Sequence, residues 1–198
     1  MSPIRIFFAA AFLAVCAMFS SLVFAETSSE GPGSKSRFND LSINSGYTWG
    51  DIRYNDRIRI VPFSIRKGFD ISRSVGMDGP GVLQLGIEPF FNTIIEPDEG
   101  YEAGLNVGLR YIAPVSNGVS FYGEILSGPM YLNIDTVEQD EPGLNFLSQI
   151  GAGIQVDLSS DVAFITGYRW RHLSNADLRK PNMGINTNYI LAGFSFVY

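Results

Sequence analysis

From residue 41 to Tyr198 the side chains alternate with a period of two, in segments of roughly 10 to 15 residues. No stretch of that region repeats with the period of an amphipathic helix. A chain patterned in this way forms strands, whose successive side chains point to opposite faces of a sheet. The clearest segment is 101–113. Tyr101, Ala103, Leu105, Val107, Leu109, Tyr111 and Ala113 share one parity; Glu102, Gly104, Asn106, Gly108, Arg110 and Ile112 share the other. A soluble sandwich would bury the first set in its core, whereas a membrane barrel would turn it toward lipid.

The N-terminal residues favour lipid. Arg5 precedes an almost unbroken apolar run from Ile6 to Phe24, and Val23-Phe24-Ala25 offers small side chains at both specificity positions of a cleavage site. This layout predicts a signal peptide over 1–25; a permanent membrane helix is the rival reading. Residues 26–40, rich in Ser, Gly and Glu, are expected to form a flexible periplasmic leader, and 41–198 the folded domain. The one cysteine, Cys16, would leave with the signal, so no disulfide is expected. Losing Arg5 makes the formal charge of −6 one unit more negative, which argues against a nucleic-acid partner. After Ala25 no run of about 18 apolar residues occurs, so a membrane-embedded chain must close as a barrel. The last segment points the same way: Ile190, Ala192, Phe194, Phe196 and Tyr198 share a parity, and this aromatic-ended pattern resembles the recognition signal of bacterial outer-membrane barrels.

Eight strands are predicted, over 41–54, 57–70, 81–96, 101–115, 118–130, 144–158, 161–173 and 186–198. The fold class is therefore all-β, an eight-stranded antiparallel transmembrane β-barrel. An even count places both ends in the periplasm, with short links there and longer ones outside. The link at 71–80 is long for its side. A barrel of eight strands is filled by its own side chains, so a pore is not expected.

Strand seven carries the candidate chemistry. Val162, Phe164, Thr166, Tyr168, Trp170 and His172 share the apolar, outward parity, and Ala163, Gly167, Arg169 and Arg171 the opposite one. Ser174 extends the outward face by two residues. Asn186 shares the outward parity of strand eight and begins that strand where strand seven ends. His172, Ser174 and Asn186 are therefore expected to meet on the outer surface at the extracellular rim. A serine hydroxyl becomes a competent nucleophile when an imidazole accepts its proton, and a third group fixes the ring's tautomer. The Asn175 side chain or local backbone N–H groups are candidates for stabilising the oxyanion. On these residues alone, an interfacial polar cap remains the rival reading.

The runs Arg171-His172-Leu173-Ser174-Asn175-Ala176 and Pro181-Asn182-Met183-Gly184-Ile185-Asn186 resemble the C-terminal signature of the lipid A 3-O-deacylase (PagL) family. The resemblance implies hydrolysis of the ester-linked 3-hydroxyacyl chain of lipid A, with His172 as base, Ser174 as nucleophile, Asn175 at the oxyanion hole and Asn182 supporting the loop. It implies no cofactor and no metal; lipid A or lipopolysaccharide in the outer membrane is the partner, and a homodimer is a compatible assembly. Family members carry a glutamate where this chain has Asn186. An asparagine can orient an imidazole but supplies no negative charge. That leaves a slower enzyme, a substitute carboxylate such as Asp177, or a barrel without activity. Arg53, Arg57, Arg59, Arg171, Arg179 and Lys180 are candidate contacts for lipid A phosphates, with ordinary rim charge as the alternative. The acidic segment 135–141 reads as a solvated loop, with divalent-cation binding as its alternative. The competing function is a non-enzymatic small barrel serving membrane integrity or adhesion.

Overall fold

The computed structural model describes residues 39–53 and 56–198. The expected export segment and the leader up to residue 38 lie outside the described residues. Nine strand segments follow in order: β1 (Asp40–Asp51), β2 (Arg57–Val61), β3 (Phe63–Asp70), β4 (Val82–Glu96), β5 (Gly100–Ser116), β6 (Val119–Leu132), β7 (Gly143–Asp157), β8 (Val162–Ser174) and β9 (Ile185–Val197). All pair antiparallel, and β1 pairs with β9 from Asp40↔Val197 to Trp49↔Asn188, which closes the sheet on itself.

Segments β2 and β3 share one place in the ring, between β1 and β4. Pro62 separates them, because proline has no N–H to give to the ladder. The neighbouring strand compensates locally: Ser45 Oγ donates to the Pro62 carbonyl at 2.8 Å. The ring therefore has eight strands, as the period-two pattern predicts.

Polarity is inverted relative to a soluble domain. Phe121, Ile125, Ile150 and Ile190 are 55%, 54%, 56% and 53% exposed, and similar side chains continue around the ring. An apolar surface of that extent needs hydrocarbon against it. The inward parity of 101–113 is polar as expected, with Glu102, Asn106 and Arg110 buried. Inside, cations and carboxylates pair. Arg169 Nη1 donates to Glu88 at 2.6 Å and its Nε to Glu124 at 2.8 Å. Arg110 also binds Glu124, at 2.8 Å, and Arg66 binds Asp40 at 3.1 Å. Toward the rim where β8 ends, the filling becomes apolar: Ile58, Ile60, Met130, Leu132, Leu147, Leu173 and Ile185 pack together there.

Three local features differ from expectation. Strand β1 starts at Asp40, one residue early, because that carboxylate is drawn inside by Arg66, by Ser42 Oγ at 2.6 Å and by Ser195 Oγ at 2.7 Å. The long link between β3 and β4 is not slack. It contains a 3-10 turn, Arg73–Val75, and Ser72 Oγ accepts from Leu83 N at 2.8 Å, which ties its two ends together. The acidic link between β6 and β7 is not uniformly solvated: Glu138 is buried, and its Oε1 accepts the Arg53 N–H at 2.6 Å.

Candidate active site

The register of three strands builds the site. β8 sits between β7 and β9, and His172 faces Ser148 on one side and Asn186 on the other. Alternation along β8 buries Arg169, Arg171 and Leu173 and turns Tyr168, Trp170, His172 and Ser174 outward. His172 Nδ1 lies 2.7 Å from Asn186 Oδ1. An amide oxygen only accepts, so Nδ1 carries the proton and Nε2 keeps its lone pair. The ring is held from below by Trp170, stacked with centroids 5.9 Å apart and planes 14° apart. Behind it lies Gly184, at φ 71°, where a Cβ would come within 2.7 Å of His172 Cε1. A left-handed backbone and this close approach both require glycine there.

Ser174 lies two residues beyond His172 on the same face, at the last position of β8, and is half-buried. Its hydroxyl makes no hydrogen bond with any other described residue. Outward neighbours two apart on a strand are separated by about 6.6 Å along the backbone. Contact between Ser174 Oγ and His172 Nε2 therefore depends on the two side chains leaning together.

The link 175–184 follows at once, and its anchor is Asn175. That residue is fully buried. Its N–H donates to Asn182 Oδ1 at 3.0 Å and its Nδ2 to the Pro181 carbonyl at 3.1 Å. The structure thus assigns Asn175 an interior, loop-holding position, away from the outer surface where an oxyanion would form. Asn182 accepts the Asn175 N–H and donates its Nδ2 to Asp177 at 3.2 Å, which links the two ends of this segment. Ala176 and Asp177 follow with φ values of 52° and 63°, a backbone region that non-glycine residues seldom occupy outside sites that need it. Their N–H groups donate to no described residue.

Asp177 does not stand in for the missing glutamate. Its carboxylate accepts from Lys180 Nζ at 2.9 Å and Asn182 Nδ2 at 3.2 Å. These hydrogen bonds hold its pKa below the ordinary value, Lys180 contributing most. The partner of His172 is Asn186 itself. The cations divide as well. Arg171 points into the barrel and binds Glu102 at 2.5 Å, so it cannot meet a phosphate outside. Inward parity decided this, as it did for Arg169. Arg179 spends its guanidinium on the Pro142 and Leu144 carbonyls, at 3.2 and 3.3 Å. Arg59 is half-buried, with Nε 3.8 Å from Glu96 Oε2. Arg53 and Arg57 are exposed at the same rim, as is Lys180 with its Asp177 partner. Sequence reasoning gave Gly184 no role beyond the signature run and read Glu138 as part of a solvated acidic loop. Glu138 also accepts the Met183 N–H on its backbone oxygen at 3.0 Å, and so pins the link that carries the site.

A closed antiparallel ring, apolar outside and charged inside, with its polar constellation on the outer face near one rim, defines the class of small outer-membrane β-barrels. A model of the family "Lipid A 3-O-deacylase (PagL)" matches residues 82–195, more than half of the chain, and the chain belongs to that family. Among solved structures, the outer membrane enzyme PagL is similar at 19% identity with a TM-score of 0.57, over 78% of this chain and 97% of that one. Neisserial surface protein A is similar at 10% identity with a TM-score of 0.63, over 81% of this chain and 97% of that one. At these identities the two likenesses establish the barrel fold. No curated protein matches the chain.

Proposed function

We propose that this protein is a metal-free serine esterase of the bacterial outer membrane, exported through a cleaved signal peptide. It hydrolyses the 3-O-linked hydroxyacyl chain of lipid A in the outer leaflet. The observation that carries this reading is the hydrogen bond of 2.7 Å between His172 Nδ1 and Asn186 Oδ1, on the lipid-facing side of the barrel. It leaves Nε2 as an unprotonated base beside an outward serine. Family membership supplies the substrate class.

In the reaction, Ser174 Oγ attacks the ester carbonyl while His172 Nε2 takes its proton. The imidazolium then returns that proton to the leaving sugar oxygen as the ester bond breaks, and water releases the acyl group by the same steps in reverse roles. The unengaged N–H groups of Ala176 and Asp177 are the donors for the oxyanion, in place of the buried Asn175 side chain. Asn186 orients the ring as a glutamate would, but leaves the imidazolium without an adjacent negative charge. Arg53 and Arg57, together with Lys180 beside its Asp177 partner, are the exposed cations placed to meet lipid A phosphates from this rim.

The test is lipid A mass spectrometry of outer membranes carrying the full chain. The wild type removes one 3-hydroxyacyl group, and Ser174→Ala and His172→Ala do not. Unaltered lipid A in the wild type would favour a non-enzymatic barrel, and deacylation that persists in Ser174→Ala would remove the nucleophile from its role.

A further inference from the structure

Two serines interrupt the apolar outer face beside the site. On β6 the outward row reads Phe121, Gly123, Ile125, Ser127, Pro129, and on β7 it reads Leu144, Phe146, Ser148, Ile150. Ser127 and Ser148 are directly paired, with Ile125↔Ile150 on one side and Pro129↔Phe146 on the other. Both hydroxyls are exposed, and their oxygens lie 3.0 Å apart. Ser148 is also the register partner of His172, and His172 of Asn186. The four side chains thus form one polar row across four adjacent strands, set in a hydrocarbon-facing surface.

Two hydroxyls bonded to each other use one O–H between them. The second O–H has no acceptor among the described residues. Against hydrocarbon that is an unfavourable place for an unpaired donor, because no water competes for it. Cross-strand hydroxyl pairing alone would stabilise the β6–β7 ladder equally well in the interior or at a rim. The placement beside His172 points to a ligand. Ser174 pairs with Phe146, so Ser148 is its diagonal neighbour, about 7–8 Å away between backbones. A hydroxyl carried two carbons beyond the carbonyl of an acyl chain held at Ser174 can reach that separation.

We propose that Ser148, supported by Ser127, is the subsite that recognises the chain hydroxyl of a 3-hydroxyacyl ester. Ser148 donates to or accepts from that hydroxyl, and Ser127 completes the pair's hydrogen bonding. The chain's own apolar tail lies along Ile125 and Ile150. This rests on the esterase reading and adds to it a basis for choosing hydroxylated over plain acyl chains.

The experiment uses the full protein in lipid–detergent micelles with two ester probes of equal chain length, one 3-hydroxylated and one plain. The ratio of their kcat/KM values is compared for the wild type, Ser148→Ala, Ser127→Ala and Ser148→Thr. The wild type favours the hydroxylated probe. Ser148→Ala lowers the ratio by about threefold to tenfold, the worth of one hydrogen bond. Ser127→Ala lowers it less, and Ser148→Thr restores it. A loss of β6–β7 support would slow both probes alike, so a ratio unchanged in Ser148→Ala overturns the subsite whatever the rates. A wild type inactive on both probes and on lipid A overturns the esterase reading, and the subsite with it.

Discussion

At the scale of single residues, the proposed esterase turns on Asn186. Its amide oxygen fixes the imidazole tautomer through the 2.7 Å contact with Nδ1. What it lacks is the charge that would stabilise the imidazolium formed during attack. Asn186→Glu is therefore expected to raise kcat, by about tenfold, with KM little changed, because the gain arises only in the transition state. Kinetics on a soluble acyl ester would show it, and an unchanged kcat would mean that ring orientation alone is limiting. Gly184 tests the other side of the ring. An alanine there must adopt φ near 71° and place its Cβ 2.7 Å from His172 Cε1. The backbone cost is about 1–2 kcal/mol, which a barrel tolerates, while the ring must move. Gly184→Ala should fold, by heat-dependent gel migration, yet lose most of its activity.

At the scale of elements, each strand carries two separate requirements on its two faces. The outward face of β8 carries His172 and Ser174; the inward face carries Arg169 and Arg171. Arg169 holds Glu88 and Glu124 together. Arg169→Met would leave Glu88 buried without its ion-pair partner and Glu124 with Arg110 as its one remaining hydrogen-bonded cation. Removing one partner from a buried ion pair costs about 3–5 kcal/mol, and urea-induced unfolding in lipid vesicles should register a loss of that order. Glu138 shows why links matter as much as strands: one buried residue of the β6–β7 link touches Arg53 and Met183, and so ties two other links to itself. The parity of β5, β8 and β9 was readable beforehand because period two is a local property. The Pro62 break and the folded β3–β4 link were not, since both depend on which neighbour completes the hydrogen bonds.

At the scale of the whole molecule, closure of the ring does two things. It satisfies every strand edge, which a sheet in hydrocarbon requires. It also traps a lumen filled by paired charges and, near the site rim, by Ile58, Ile60, Leu132, Leu147 and Leu173. A lumen packed in this way should pass no ions: planar-bilayer recordings of the purified protein are expected to show no stable conductance steps. Steady openings would mean that the filling moves. The same closure brings Arg53 of the first link against Glu138 of a distant one, a meeting between residues far apart in the chain.

The sequence by itself determined the fold class, the strand count, the face on which His172, Ser174 and Asn186 lie, and the family signature between Arg171 and Asn186. These follow from alternation and from short motifs, which are written in consecutive residues. Tertiary structure alone decided the rest. Cross-strand register put Ser148 beside His172 and Ser127 beside Ser148. Burial set the Asn175 side chain against the Pro181 carbonyl and turned Arg171 inward to Glu102. Such outcomes depend on which residues stand opposite one another once the ring closes. That pairing is a property of the whole sheet, and no single strand encodes it.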